Sequence, residues 1–272
     1  MSPRGHLLLN RDSMLFILSA ERRYISLEKK GRALSISLFD LGLVAAVYVF
    51  VILVIAVSEL LRKRLNLGAY TTRRAIHLLA GDAILSIPFF SNVVYPLLLP
   101  IGMGLMTGLS LATRKESFLT QTMVDEKRYS RVHAYGPVFY IISIGVLLLA
   151  FWSQKPIVMA ATMIMAWGDG AASAITPSLR KRHVHPFSDK SLEGSTMMFV
   201  FAFLGALVSY LIATSTGIIY ASYGSVMMLC ALGAFVGTVA EALTLGPIRP
   251  FDNFTVPFAS ALVLYLATPF AL

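Results

Sequence analysis

Residues 38–61 read LFDLGLVAAVYVFVILVIAVSELL, and Arg62, Lys63 and Arg64 follow at once. A helix needs about 20 apolar residues to cross a hydrocarbon core of about 30 Å. This run meets that length and then stops on three cations. Working outward, the pattern recurs at 75–90, 93–112, 136–153, 156–176, 196–215, 224–244 and 255–271, each block bounded by charge or turn residues. Hydrocarbon satisfies no backbone N–H or C=O group, so helices are the economical way across. The expected fold is all-α, a polytopic transmembrane helical bundle of about seven or eight spans. It occupies residues 38–272, behind a basic segment 1–37 that is interfacial or disordered.

Composition points the same way. Of 272 residues 57% are hydrophobic and 14% charged, where soluble domains carry about 25% charged residues. With a mean hydropathy of +0.73, this excludes a soluble globular protein, a disordered tail and a coiled coil. Cys230, the one cysteine, lies inside an apolar block, so no intrachain disulfide forms and no metal site rests on thiolates. Ile87-Pro88 is placed to end or kink the second block. Gly102, Gly104 and Gly108 read as close helix packing rather than a nucleotide loop.

The net charge of +9 is unevenly spread. Basic residues crowd the stretches 62–74, 113–135, 177–195 and 245–254, whereas the intervening loops carry only Lys155. The positive-inside rule puts those four stretches on the cytoplasmic face. Such an excess reports orientation first, and anionic lipid headgroups or nucleotide phosphates second. No nucleic-acid partner is expected. Residues 1–37 resist the scheme, because an odd number of crossings would place their seven Lys and Arg outside. An interfacial helix over 14–35, a miscounted span, or a start at Met14 would each resolve the conflict.

The informative residues are the ionisable ones in or beside spans: His77, Asp82, Asp169, Glu241 and Asp252. A carboxylate at membrane depth costs on the order of 3 kcal/mol, so each should face a partner or a cavity. Asp82 has Arg73 and Arg74 as candidate partners, and Glu59 marks the end of the first span. The densest cluster is Trp167-Gly168-Asp169-Gly170-Ala171-Ala172, then a basic loop with Arg180, then Asp189-Lys190-Ser191-Leu192-Glu193-Gly194-Ser195. An acid ending one span, cations, and a Ser-rich helix start facing them are the parts of a phosphate site. Asp169 or Glu193 could hold a divalent cation through oxygen. The same run also reads as a capped helix behind a positive-inside loop, with Glu193 an ordinary capping residue. Asp252-Asn253-x-Thr255 reads either as a helix cap or as a glycosylation sequon, the latter only on a non-cytoplasmic loop. His183-x-His185 fits a surface loop better than a metal pair. No soluble-type nucleotide or hydrolase motif is present.

Four elements taken together resemble the dolichol kinase and phytol kinase family of polytopic membrane enzymes. They are Arg73-Arg74-x-x-His77-x-x-x-Gly81, Gly168-Asp169-Gly170-Ala171-Ala172, Lys190-Ser191-x-Glu193-Gly194-Ser195, and Glu241 with Asp252-Asn253-x-Thr255-x-Pro257. The resemblance covers about residues 60–260. It implies CTP as phosphoryl donor, a membrane isoprenoid alcohol of the dolichol, phytol or geranylgeraniol type as acceptor, and Mg²⁺ or another divalent cation. Asp169 and Asp252 are then expected to ligate the metal, one of them doubling as base. Lys190, Ser191, Gly194 and Ser195, with Arg74 and Arg180, would bind the triphosphate. His77 and Asn253 would orient substrate, and Glu193 and Glu241 would position Lys190 or the metal. A diacylglycerol-type kinase or a cytidylyltransferase making a CDP-lipid is the related alternative. A transporter using Asp169, Glu241 and Asp82 as a cation path is the unrelated one.

Overall fold

The computed structural model describes residues 36–112, 136–176, 182–188, 190–245 and 251–271. Residues 1–35 of the basic segment expected over 1–37, Arg180 and the loop 113–135 lie outside the described residues. The chain divides into two units, Met1–Leu41 and Gly42–Leu272. Among the described residues every regular element is helical, apart from one antiparallel bridge between Val184 and Ser191.

Helix α1 (Leu38–Leu65) carries Arg62, Lys63 and Arg64 in its last turn. Glu59 marks its end, accepting two 2.6 Å hydrogen bonds from Arg62. Asn66 stops the helix in the left-handed region at φ 50°. The Leu67 amide then turns back to the Arg62 carbonyl at 3.0 Å, an ending that asparagine tolerates. Helix α2 (Ala69–Gly81) runs into a tighter 3₁₀ segment, Asp82–Phe89, which contains Pro88. Helix α3 (Val94–Ala112) follows, with Pro100 inside it. Its glycines divide in use: a Cβ on Gly102 would strike the Tyr48 hydroxyl, whereas Gly108 faces open space.

Helices α4 (Gly136–Phe151) and α5 (Lys155–Met163) are separated by a short 3₁₀ break, Trp152–Gln154. Lys155 pins that corner. Its ammonium donates to the Phe90 carbonyl at 2.9 Å and sits 4.5 Å from the Trp152 ring centre. From α5 the chain passes into a π-helical turn, Ile164–Asp169, and then α6 (Gly170–Ile175). Helices α7 (Leu192–Ser215), α8 (Tyr223–Leu243) and α9 (Asp252–Ala271) complete the bundle. Five helical runs among the described residues are long and apolar enough to cross a membrane: 38–65, 136–175, 192–215, 223–243 and 252–271. The second contains two expected spans, divided at Trp152–Gln154, and Val94–Leu109 is a shorter apolar helix.

The centre of the bundle is α5. Every residue from Pro156 to Met163 is buried, as befits a helix that is apolar all round. Helices α4, α7, α8 and α9 pack against it. Its neighbours bring small residues, such as Ala202, Ala206 and Ala213 of α7 and Ala234 of α8, all fully buried. Large apolar side chains such as Leu105, Leu149, Phe235 and Leu266 point outward instead, a distribution that suits a hydrocarbon solvent. At Gly205 the obstacle is backbone itself, since a Cβ there would lie 2.9 Å from the Met163 carbonyl oxygen.

Gly205→Val should therefore lower unfolding stability in detergent by about 1–3 kcal/mol. Gly108→Ala, in open space, should raise it by roughly 0.5–1 kcal/mol. Thermal unfolding of the two variants beside the parent checks both signs.

Candidate active site

One end of the bundle gathers the charged groups. Asn253, in the first turn of α9, donates its side-chain amide to the Gly136 carbonyl at the start of α4, at 3.4 Å. The Arg73 guanidinium of α2 occupies the space that a Cβ on Gly136 would need. At the same end residues 183–185 and 190–192 pair as the two arms of a hairpin. The His185 amide bonds the Lys190 carbonyl at 2.9 Å, and the Leu192 amide bonds the His183 carbonyl at 2.8 Å. That hairpin delivers Lys190 onto α8, where its ammonium forms an ion pair with Glu241. The lysine side chain is 18% exposed and the glutamate 9%.

Two more carboxylates act on that ammonium. Burial works to lower the pKa of Lys190, but Glu241, Asp169 and Asp252 together outweigh it, and the value stays above the ordinary lysine value. Lys190 is thus a cation at neutral pH, losing its charge only as pH climbs through that raised value. Asp169 ends the π-helical turn, and Asp252 opens α9. The extra residue of a π-turn displaces whatever follows it, and such turns recur at functional sites. Here the turn is fastened from one side. The Trp167 indole N–H donates to Asp82 at 2.7 Å, so the membrane-depth carboxylate is held by an indole rather than by Arg73 or Arg74.

The glycines flanking Asp169 serve packing. A Cβ on Gly168 would sit 2.9 Å from the Met198 sulfur, and one on Gly170 would sit 3.0 Å from the Leu78 Cβ. Helices α7 and α2 therefore close on either side of the turn and leave the Asp169 carboxylate its direction.

The start of α7 is already well used. Ser191 caps it, its oxygen accepting from the Gly194 amide at 3.1 Å. The Ser195 amide bonds the Ser191 carbonyl at 2.9 Å, and the Ser195 hydroxyl meets His185 Nε2 at 3.0 Å. Glu193 pairs with His183, at 2.6 Å to Nδ1 and 3.0 Å to the amide, and so braces the hairpin while Glu241 takes Lys190. With these amides engaged, the start of α7 presents the Lys190 ammonium to an anion rather than free amides.

The His77 and Arg73 side chains both line a cavity of about 130 Å³, together with Tyr140 and Asn253. They stand four residues apart, on one face of α2. Arg74 lies on the next position round the helix. Sequence reasoning chose Arg74, Lys190, Asp169, Asp252 and Glu241, named Arg73 only within its motif and as a partner for Asp82, and passed over Tyr140 and the Trp167–Asp82 bond. The i, i+4 spacing of Arg73 and His77 was the available signal for Arg73. Nothing local marks the others.

Curated relatives match the chain over most of its length. Phytol kinase 1, chloroplastic, of Arabidopsis thaliana is 27% identical over 238 residues, which is 85% of this chain and 77% of its own length. A probable phytol kinase 1, chloroplastic, of Glycine max is 30% identical over 223 residues, 78% of this chain and 72% of its own. The chain belongs to the phytol kinase family. As a member it is a lipid kinase, a phosphotransferase with an alcohol acceptor. The phytol kinase of Synechocystis sp. is 27% identical over 217 residues and is matched along 85% of its length. No family model and no solved structure matches the chain.

Among the described residues of this family member, no three His, Cys, Asp or Glu side chains converge tightly enough to hold a metal ion by themselves. Asp169 and Asp252 do act on one another electrostatically. Two neighbouring carboxylates fit a magnesium ion that arrives with a nucleotide, since Mg²⁺ is commonly bound by one or two carboxylates plus phosphate oxygens.

Removing one partner of the Lys190–Glu241 pair leaves a charge stranded in a poorly hydrated place, at a cost of about 3 kcal/mol or more. Lys190→Met and Glu241→Gln should each destabilise the protein in SDS-titration unfolding. The double variant should cost clearly less than the two single losses added, with a coupling of roughly 1–3 kcal/mol. Additive losses would separate the two residues.

Proposed function

We propose that this phytol kinase relative transfers the γ-phosphoryl group of CTP to the hydroxyl of a membrane isoprenoid alcohol. The products are the prenyl monophosphate and CDP, and the reaction takes place at the cytoplasmic face. The observation that carries this reading is one half-buried ammonium, Lys190, paired with Glu241 and within electrostatic reach of Asp169 and Asp252, at the end of the bundle where a polar-mouthed apolar cavity begins.

Phosphoryl transfer asks a protein mainly for positioning and charge stabilisation. Lys190, fixed by Glu241, holds the triphosphate oxygens, with Ser191, Gly194 and Ser195 beside it and Arg74 and Arg180 adding positive potential. Asp169 and Asp252 would hold Mg²⁺, which neutralises the β- and γ-phosphate charge as it develops. The acceptor oxygen forms the new bond to the γ-phosphorus as the bridge to the β-phosphate breaks. The hydroxyl proton passes to one of the two aspartates, and CDP leaves. Because Lys190 is itself half-buried, its charge acts through less water than a surface lysine's would. Glu193 keeps the hairpin folded against the site through His183, and His77 and Asn253 orient the acceptor.

The related alternative, a cytidylyltransferase, breaks a different bond and releases pyrophosphate. In liposomes with Mg²⁺, γ-labelled CTP and a panel of phytol, geranylgeraniol, dolichol and diacylglycerol, label should appear in a prenyl monophosphate with CDP as co-product. Asp169→Asn and Lys190→Ala, inserted normally, should each lower kcat/KM by roughly a hundredfold or more. Pyrophosphate release, label only in diacylglycerol, or full activity in both variants would each overturn the proposal.

A further inference from the structure

The charged cluster accounts for the phosphate chemistry and leaves the cavity beside it without a role. That cavity lies between α2, the 3₁₀ segment after it, α3 and α4. Its polar lining is confined to one end: Arg73, His77 and Asn253, with Gly136 between the last of these and the guanidinium. Beyond them the walls are apolar, running down Ile84 and Ile87 on one side and Ile141, Ile144 and Leu148 on another. Along α4 the lining extends from Gly136 to Leu148, an axial distance of about 18 Å at the rise of an α-helix. That is more than half the thickness of a hydrocarbon core of about 30 Å.

Three further features mark this as a binding site. The His77 Nε2 atom is buried at the wall with no hydrogen-bond partner, although buried polar atoms are nearly always satisfied. The ring is held in place by Tyr140, whose own ring lies 4.1 Å away and whose hydroxyl donates to the His77 carbonyl at 3.3 Å. Asn253, which lines the same end of the cavity, directly follows Asp252 in the chain, so the polar end adjoins the charged cluster. Finally, the wall where α2 runs into the 3₁₀ segment is built from small residues, Ala80, Gly81 and Ala83. In α3, Pro96 and Pro100 face the same space, and a proline four residues on cannot hydrogen-bond back to the earlier carbonyl.

We propose that this cavity is the acceptor pocket. A single isoprenoid chain lies in it with the hydroxyl at Arg73, His77 and Asn253, and the small-residue wall sets the chain width admitted. The inference rests on the kinase reading for the identity of the head group, and on the cavity alone for its place. The hydroxyl satisfies the His77 ring while it is presented toward Asp169. The tail is solvated by Ile84, Ile141 and Leu148 down to the level of Ile87. A prenol of a few isoprene units fits within the bundle. A dolichol must pass its far end out between helices into lipid, at a loss of apolar contact per unit length.

Ala80→Phe and Ala83→Phe fill the proposed path without touching the charged cluster. In nanodiscs each should raise the acceptor KM for geranylgeraniol or phytol by roughly tenfold, leaving the CTP KM within about twofold. Leu105→Phe, on an exposed face of α3, should change neither. A prenol carrying a diazirine near its hydroxyl should label α2 and α4 of the parent protein even without nucleotide, and lose that labelling in the two filled variants. Unchanged acceptor KM in correctly folded filled variants, or labelling confined to α8 and α9, would overturn the pocket. Absence of phosphoryl transfer in the parent, with labelling of α2 and α4 intact, would overturn the kinase reading and leave the pocket standing.

Discussion

The ion pair between Lys190 and Glu241 locks together two residues that stand far apart in the chain. One partner comes from a hairpin between α6 and α7, the other from the end of α8, and both are largely withdrawn from water. A lysine and a glutamate are each costly to bury, and each makes the other tolerable. Two further carboxylates, Asp169 and Asp252, then find a cation already in place. Without that ammonium, three acidic groups would face one another at the membrane edge, and the arrangement would repel itself. The pair thus decides both that the site holds together and that its charge suits a phosphate with its metal.

Position follows from the central helix. Helix α5 is enclosed by four others and cannot shift without disturbing all of them. Its continuation as a π-turn places Asp169 at a rigid end, tied by the Trp167–Asp82 bond and clasped through Gly168 and Gly170. Catalytic carboxylates tolerate little displacement. A buried helix leading into a bonded turn supplies that stiffness with apolar packing, which a bilayer does not weaken.

Much of this was legible in the chain. The apolar blocks set the helices, because a hydrocarbon solvent allows few alternatives, and the expected span edges fall close to the observed ones. Pro88 and the Trp152–Gln154 break came where the blocks were interrupted. The acidic and basic residues of the cluster stood out because charge beside an apolar span demands a reason. What stayed hidden was pairing at a distance. Lys190 and Glu241 are 51 residues apart and Asp82 and Trp167 are 85 apart, and no local pattern announces which acid takes which donor. Glu193, adjacent to the lysine motif, was a natural candidate for Lys190, yet helix geometry turns it to His183. The cavity was equally silent, since its walls are ordinary Ala, Ile, Leu and Pro residues whose meaning lies in the space between them.

The most direct measurement is a structure of the protein in lipid with a non-hydrolysable CTP analogue and Mn²⁺ in place of Mg²⁺. The expected result puts the γ-phosphate within ion-pair distance of Lys190 and the metal between Asp169 and Asp252. A nucleotide bound elsewhere with the Lys190–Glu241 pair untouched, for instance at the opposite end near Lys155, would contradict the site described here.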